Sequence, residues 1–244
     1  MYQDYTRQFW LRILLVLCGL SPLMGFAAIP DKLVTGEHTF VEGEHYNRFP
    51  ATVVARPEIK SFMAQDTHKI QVIEFFSYAC YGCYRLQEKL ENWQKTIAPE
   101  IHFYRLPVVF FPNWATLAKA YYTAAALNLE SKLNHSLFAA IHEKKRDISQ
   151  EAELKNFFEE SQVPEAIFWG VYRSFEVERQ FKKGNELSLA YQIAESPALI
   201  INGPTGSYLT SAFMAKSEDR LFILLAALLE RELAALKNAL GSES

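Results

Sequence analysis

The apolar positions fall into two periods, and their changes divide the chain. Ile70 to Phe76 is a nearly unbroken apolar run and reads as a buried strand. Residues 81–96 read as a helix. Residues 100–106 alternate imperfectly, with Ile101, Phe103 and Leu106 on one face and His102, Tyr104 and Arg105 on the other, as in a second strand. Strand, helix and strand make a βαβ unit, which places the two strands parallel through a right-handed crossover. Upstream, residues 34–46 supply an edge strand, with Glu42-Gly43-Glu44 near a turn, and residues 57–64 a short helix.

The apolar stretch 107–114 is bounded by Pro107 and Pro112 and reads as a packed loop, or alternatively as part of an apolar groove. Helical periodicity then takes over. Residues 114–127 are rich in Ala, Leu and Tyr; residues 131–143 place Leu133, Leu137, Phe138 and Ile141 on one face; Ser149 caps a helix through Phe158. A short piece follows Pro164, and 174–183 is a further helix. Lys144-Lys145-Arg146 reads as a solvated turn. Residues 113–185 therefore form an all-helical lobe whose apolar stripes pack together. Pro197-Ala198-Leu199-Ile200-Ile201-Asn202-Gly203 is a short apolar strand entered through proline and left through Asn-Gly. Tyr208-Leu209 continues it as a hairpin, over a loop 203–206 longer than two residues. Ser217 caps a final helix with Glu218 and Asp219 in its first turn. Its apolar face runs from Leu221 to Leu236, and the helix extends to Leu240.

The 244 residues are 50% hydrophobic and 22% charged, which describes a chain able to bury a full core. The net charge of -3 gives no basis for a nucleic-acid partner. Arg7 and Arg12 precede an apolar stretch from Ile13 to Leu20. Ser21-Pro22 breaks it, and Gly25 and Ala27 are small residues suited to cleavage after Ala27. Residues 1–27 read as a secretory signal peptide, with an uncleaved anchor as the alternative. The stretch is shorter than the roughly 20 residues of a spanning helix. Loss of Cys18 with the signal leaves one cysteine pair and no spare thiol, which suits an oxidising compartment.

That pair is Cys80-Tyr81-Gly82-Cys83, at the junction of the buried strand and its helix. Thiols at i and i+3 on a first helical turn face the same way. The first meets free backbone N–H groups and the helix dipole, which favour the thiolate. Cys80 is then the exposed nucleophile and Cys83 the more buried resolving thiol. A structural disulfide and a metal site are the alternatives. A four-residue loop constrains a large domain little. The scattered histidines offer no HxxxH pairing, and a second CxxC is absent.

Glu74-Phe75-Phe76-Ser77-x-x-Cys80-x-x-Cys83, the helical stretch after it and the Pro197 strand ending in Asn-Gly occur in the order of the thioredoxin superfamily. The chain resembles its DsbA-type periplasmic thiol-disulfide oxidoreductases over roughly residues 40–240. The resemblance implies an α/β thioredoxin-like fold: residues 28–112 as its first part, 113–185 as an inserted helical domain, and 186–244 as its second part with a long C-terminal helix. It makes Cys80 and Cys83 the redox pair and Pro197 a cis-proline facing them. The backbone of Ser196 then lies open to a bound peptide beside Cys80, with Tyr81 and Gly82 on the substrate side. Glu74 resembles the family's buried acid, placed to move the proton of exchange; a partly exposed strand-end glutamate is the alternative.

The resemblance further implies disulfide donation to unfolded or partly folded secreted proteins in the periplasm and reoxidation by a membrane redox partner. It calls for no metal, nucleotide or haem cofactor. A monomer is expected, with a contact through the long C-terminal helix as the alternative. Two departures stand out. Tyr81-Gly82 occupies the place of Pro-His in strongly oxidising relatives, and Ser196 the place where oxidases usually have valine. Without an imidazole between the thiols, a less stabilised thiolate and a less oxidising couple are expected. A disulfide isomerase or reductase is the nearest rival function, and a non-catalytic assembly factor the more distant one.

Overall fold

The computed structural model describes residues 31–66 and 68–241. The expected signal segment and Cys18 lie outside them. In chain order the elements are β1 (Lys32–Thr35), β2 (His38–Val41), β3 (Asn47–Arg48), α1 (Ala51–Val54), α2 (Pro57–Met63), β4 (Ile70–Phe76), α3 (Tyr81–Gln94) and β5 (Ile101–Pro107). There follow α4 (Trp114–Ala126), α5 (Glu130–His142), α6 (Glu151–Glu160), α7 (Glu165–Tyr172), α8 (Phe175–Ala190), β6 (Ala198–Gly203), β7 (Gly206–Thr210) and α9 (Glu218–Gly241).

Five strands form one sheet in the order β3–β7–β6–β4–β5. Every residue of the central β4 is buried, as expected of a strand covered on both faces. β4 and β5 are parallel, from Ile70 opposite Ile101 to Phe76 opposite Pro107, and α3 is their crossover. β6 runs antiparallel to β4 and β7 antiparallel to β6. This is the α/β architecture expected from the sequence, with five helices between β5 and β6.

The period of two sends Ile70, Val72, Glu74 and Phe76 to one face of β4 and Gln71, Ile73 and Phe75 to the other. Ile70 and Val72 pack with Leu86 and Leu90 of α3 and with Leu221, Leu225 and Leu228 of α9. Ile73 and Phe75 pack with Ile59 of α2 and with Leu187 and Tyr191 at the end of α8. Phe76 joins a third cluster with Cys83, Leu117, Leu137, Phe138 and Phe158, so the helices after β5 are built onto the end of β4 and the start of α3. Among the described residues no helix is long and apolar enough to cross a membrane.

Several local expectations need correction. Residues 34–46 are not one edge strand. β1 and β2 pair as a separate two-stranded hairpin, turned by Gly36 at φ +55°, a backbone region where glycine avoids the Cβ clash. The β6–β7 loop is shorter than expected: Gly203 pairs with Gly206, leaving only Pro204 and Thr205 in the turn. Neither has positive φ; instead the buried Glu232 of α9 accepts the Thr205 N–H at 2.8 Å and its hydroxyl. Ser149 bonds Asp147 and does not cap α6, whose N-cap is Gln150. Ser174 does cap α8, accepting from the Val177 N–H at 3.2 Å, but the helix continues to Ala190, past Lys183. Gly184 lets α8 approach Tyr122 of α4, where a Cβ would overlap the ring hydroxyl. Arg146 is not a solvated turn residue: its guanidinium holds Glu160 at 2.6 and 3.0 Å and Glu153 at 2.6 Å.

Candidate redox-active site

The chain leaves β4 at Phe76 and enters α3 at Tyr81, and this short connection places Cys80 at the helix N-cap. The turn is closed locally. Ala79 N–H donates to the Ser77 hydroxyl at 3.2 Å and Cys80 N–H to the Ser77 carbonyl at 3.0 Å. The Cys80 sulfur takes the capping role and accepts the Cys83 N–H at 3.3 Å. This satisfies one of the helix's free donors and puts the sulfur where negative charge is favoured. Both thiols are free, Cys80 partly exposed and Cys83 fully buried.

Opposite Cys80 lies the connection into β6. The Ser196–Pro197 peptide is cis, and the Cys80 thiol donates to the Ser196 carbonyl at 3.2 Å. Gly82 closes the gap between the two loops. A Cβ there would stand 3.1 Å from Pro197 Cδ and 3.7 Å from Cys80 Sγ. Ser196 and Pro197 precede the β4–β6 ladder, which begins at Ala198. The fold thus gathers Cys80, Cys83, Gly82, Ser196 and Pro197 from segments more than a hundred residues apart. Tyr81 points outward, 63% exposed, against the rings of Tyr84 and His142 at 5.9 and 5.8 Å.

The two thiols are driven apart electrostatically. The Cys80 thiol is lowered to about 6, chiefly by a hydrogen bond from the Cys83 side chain. The Ser196 side chain and the N–H groups of Cys83 and Gly82 add to this, while partial burial opposes it. Cys83 is pushed well up by burial, then by the Cys80 sulfur and by the charge of Glu74. Glu74 is itself buried beneath α3, and burial raises its pKa against the opposing Arg105 guanidinium. Arg105 Nε donates to Glu74 Oε2 at 2.6 Å. Arg105 Nη1 lies 3.8 Å from both Glu91 and Glu130.

Glu74 is therefore not a strand-end residue at the surface, but half of a buried ion pair. Sequence reasoning missed its partner; the one available signal was a lone arginine on a largely apolar strand. It also missed His142, which reaches the site from α5. Among the described residues no cluster of His, Cys, Asp or Glu is placed to hold a metal ion.

A partly exposed N-cap thiol of low pKa beside a buried thiol of high pKa is built for thiol–disulfide exchange. No family model matches the chain. Among curated proteins it is 30% identical over 157 residues to the thiol:disulfide interchange protein DsbA of Bordetella parapertussis, covering 64% of this chain and 73% of that one. The chain belongs to the DsbA family. It is also 26% identical over 226 residues to DsbA of Pseudomonas aeruginosa, 93% of this chain and 98% of the relative. The crystal structure of DsbA from Xylella fastidiosa matches with a TM-score of 0.70 at 28% identity, covering 81% of this chain and 100% of that one. That of Pseudomonas aeruginosa DsbA matches with a TM-score of 0.68 at 26% identity, covering 81% and 97%. The protein is a thiol:disulfide oxidoreductase with the thioredoxin-type fold of these DsbA relatives.

Proposed function

We propose that Cys80 and Cys83 are the pair through which this protein introduces disulfide bonds into proteins of the periplasm. The observation that carries the assignment is the division of labour at α3: an accessible, acid-shifted Cys80 at the N-cap and a buried, base-shifted Cys83 one turn on. A substrate thiolate attacks Cys80 Sγ of the protein disulfide. The Cys80–Cys83 bond breaks, and the Cys83 sulfur leaves and takes a proton, as its raised pKa demands. Glu74, buried on the same side of the sheet, is the acid assigned to that proton. A second substrate thiolate then attacks the substrate sulfur of the mixed disulfide and expels Cys80 as thiolate. A pKa near 6 makes Cys80 a good leaving group, which favours release of oxidised substrate. Two electrons pass from substrate to protein.

Substrates are unfolded or partly folded secreted chains, held beside Cys80 by the Ser196 backbone that precedes the ladder. A membrane redox partner accepts the electrons and restores the disulfide. Residues 28–112 and 186–244 form the thioredoxin-like part, and 113–185 the helical insert. A thiol near 6 lies between the strongly oxidising relative at about 3.5 and thioredoxin at about 7, so an intermediate reduction potential follows.

Acid-quenched thiol trapping in the native compartment tests the direction of exchange, and a Cys83→Ser variant tests the order of attack. The expected results are mostly disulfide for the wild type and accumulated mixed disulfides through Cys80 in the variant. A pair held as dithiol would assign the protein to reduction or isomerisation instead. Absence of mixed disulfides would remove Cys80 as the nucleophile.

A further inference from the structure

Two residues at the end of α5 touch the active turn on both sides of Cys80. His142 Nε2 lies 2.8 Å from the carbonyl oxygen of Tyr78, two residues before Cys80. A carbonyl only accepts, so Nε2 carries the proton and donates. The next residue, Glu143, accepts a hydrogen bond at 2.8 Å from the hydroxyl of Tyr84, four residues after Cys80. The imidazole also lies nearly parallel to the Tyr84 ring, at 4.9 Å and 19°. Phe138, one turn earlier on α5, lies 6.2 Å from the imidazole and 4.8 Å from the Tyr78 ring. Tyr78 is buried, so its carbonyl depends on protein donors and not on bulk water.

We propose that His142 and Glu143 form a two-point clamp that holds the Tyr78–Tyr84 turn where the first N–H groups of α3 meet the Cys80 sulfur. The two are positioning residues and touch neither substrate nor sulfur. This inference rests on Cys80 being the exchanging thiol. The physical argument concerns reach. The Cys83 N–H meets Cys80 Sγ at 3.3 Å, a well-formed contact for a sulfur acceptor, so a tilt of the first turn of α3 that lengthens or bends it weakens the hold on the thiolate. Local bonds fix the turn from within through Ser77, and the Ser196 loop meets it at Cys80 and Gly82; the end of α5 holds it on both sides, at Tyr78 and at Tyr84. The departure at Tyr81-Gly82 makes this arrangement informative: the imidazole absent from between the thiols is present beside them, acting on the backbone.

Replacing His142 with Phe keeps a flat ring against Tyr84 and removes the donor to Tyr78. Replacing it with Gln returns an N–H near the position of Nε2. The full-length protein is titrated by thiolate absorbance and equilibrated in glutathione buffers. His142→Phe is expected to raise the Cys80 pKa by about one unit and to shift the equilibrium about five-fold toward disulfide at pH 7, because the reduced form loses thiolate stabilisation. His142→Gln is expected to restore most of both. A His142→Phe pKa equal to wild type overturns the proposal, as does a His142→Gln shift as large as that of Phe. If His142→Phe does not fold, Tyr84→Phe decides, since it removes only an exposed hydroxyl: a smaller rise is expected, and no rise refutes the clamp. These readouts are made on the protein's own thiols. A wild type inactive toward substrates would count against the proposed function while leaving the clamp to the titration.

Discussion

The largest contribution to the low pKa of Cys80 is assigned to the Cys83 side chain, and removing it should show. The shift from 9.0 to about 6 corresponds to about 4 kcal/mol at 1.36 kcal/mol per unit, as an upper figure. The sulfur is partly exposed, so solvent screening reduces what this contributes to folding to roughly half. A hydrogen bond to a charged group contributes about 1.5–3 kcal/mol when shielded, and about half that here, or close to one pKa unit. Cys83→Ala should therefore raise Cys80 from about 6 to about 7, with the Ser196 side chain and the N–H groups of Cys83 and Gly82 retaining the rest of the shift. Cys83→Ser keeps a donor and should remain near the wild-type value. Thiolate absorbance and the pH dependence of alkylation both read this directly. The sign for stability follows from a folded pKa lower than the unfolded one. The stabilisation of the reduced protein is full above about pH 9, declines as pH falls, and is lost below about pH 6, whereas the disulfide form has no such dependence. An unchanged pKa in Cys83→Ala would show that the Ser196 side chain and the backbone N–H groups hold the thiolate without the Cys83 side chain, and would refute the assignment.

Three further outcomes follow from packing and charge. Arg105→Met leaves Glu74 buried without its partner and should lower stability by about 3–5 kcal/mol in urea unfolding; adding Glu74→Leu should recover most of the loss. Gly82→Ala places a methyl 3.1 Å from Pro197 Cδ, so α3 must shift away from the Ser196–Pro197 loop; substrate exchange should slow several-fold while the urea midpoint stays close to wild type, and an unaltered rate would show that this contact is slack. Gly203→Ala directs a methyl within 2.5 Å of Glu232 Oε2, which is fully buried and bonded to Thr205, so a loss of about 1–3 kcal/mol is expected in thermal or urea unfolding.

Which parts of this site were legible in the sequence follows from the range of the interactions that make them. Cys80, Cys83 and the strand before them are local: a buried apolar run, a turn and two thiols at helical spacing specify one another within fourteen residues, from Ile70 to Cys83. Ser217 could be placed as a cap for the same reason, accepting from the N–H three residues on. Pro197 was found through the order of motifs in a family, since no periodicity connects residue 197 with residue 80. Arg105, His142 and Glu232 are of another kind. Each sits at a position where its own segment gives a different or neutral signal: a strand face, a helix end, the apolar stripe of α9. Their roles arise only when a second segment brings an unpaired group: the carboxylate of Glu74, the carbonyl of Tyr78, the N–H of Thr205. The β6–β7 turn shows the consequence. Read locally, Gly203-Pro204-Thr205-Gly206 lacks the left-handed residues of a two-residue hairpin, and a longer loop is the reasonable expectation. A glutamate 27 positions after Thr205 closes the turn instead. The active turn follows the same logic. Its chemistry is written in four consecutive residues, while the side chains that hold its two ends arrive from α5, where a carboxylate or an imidazole alone gives no sign of the partner.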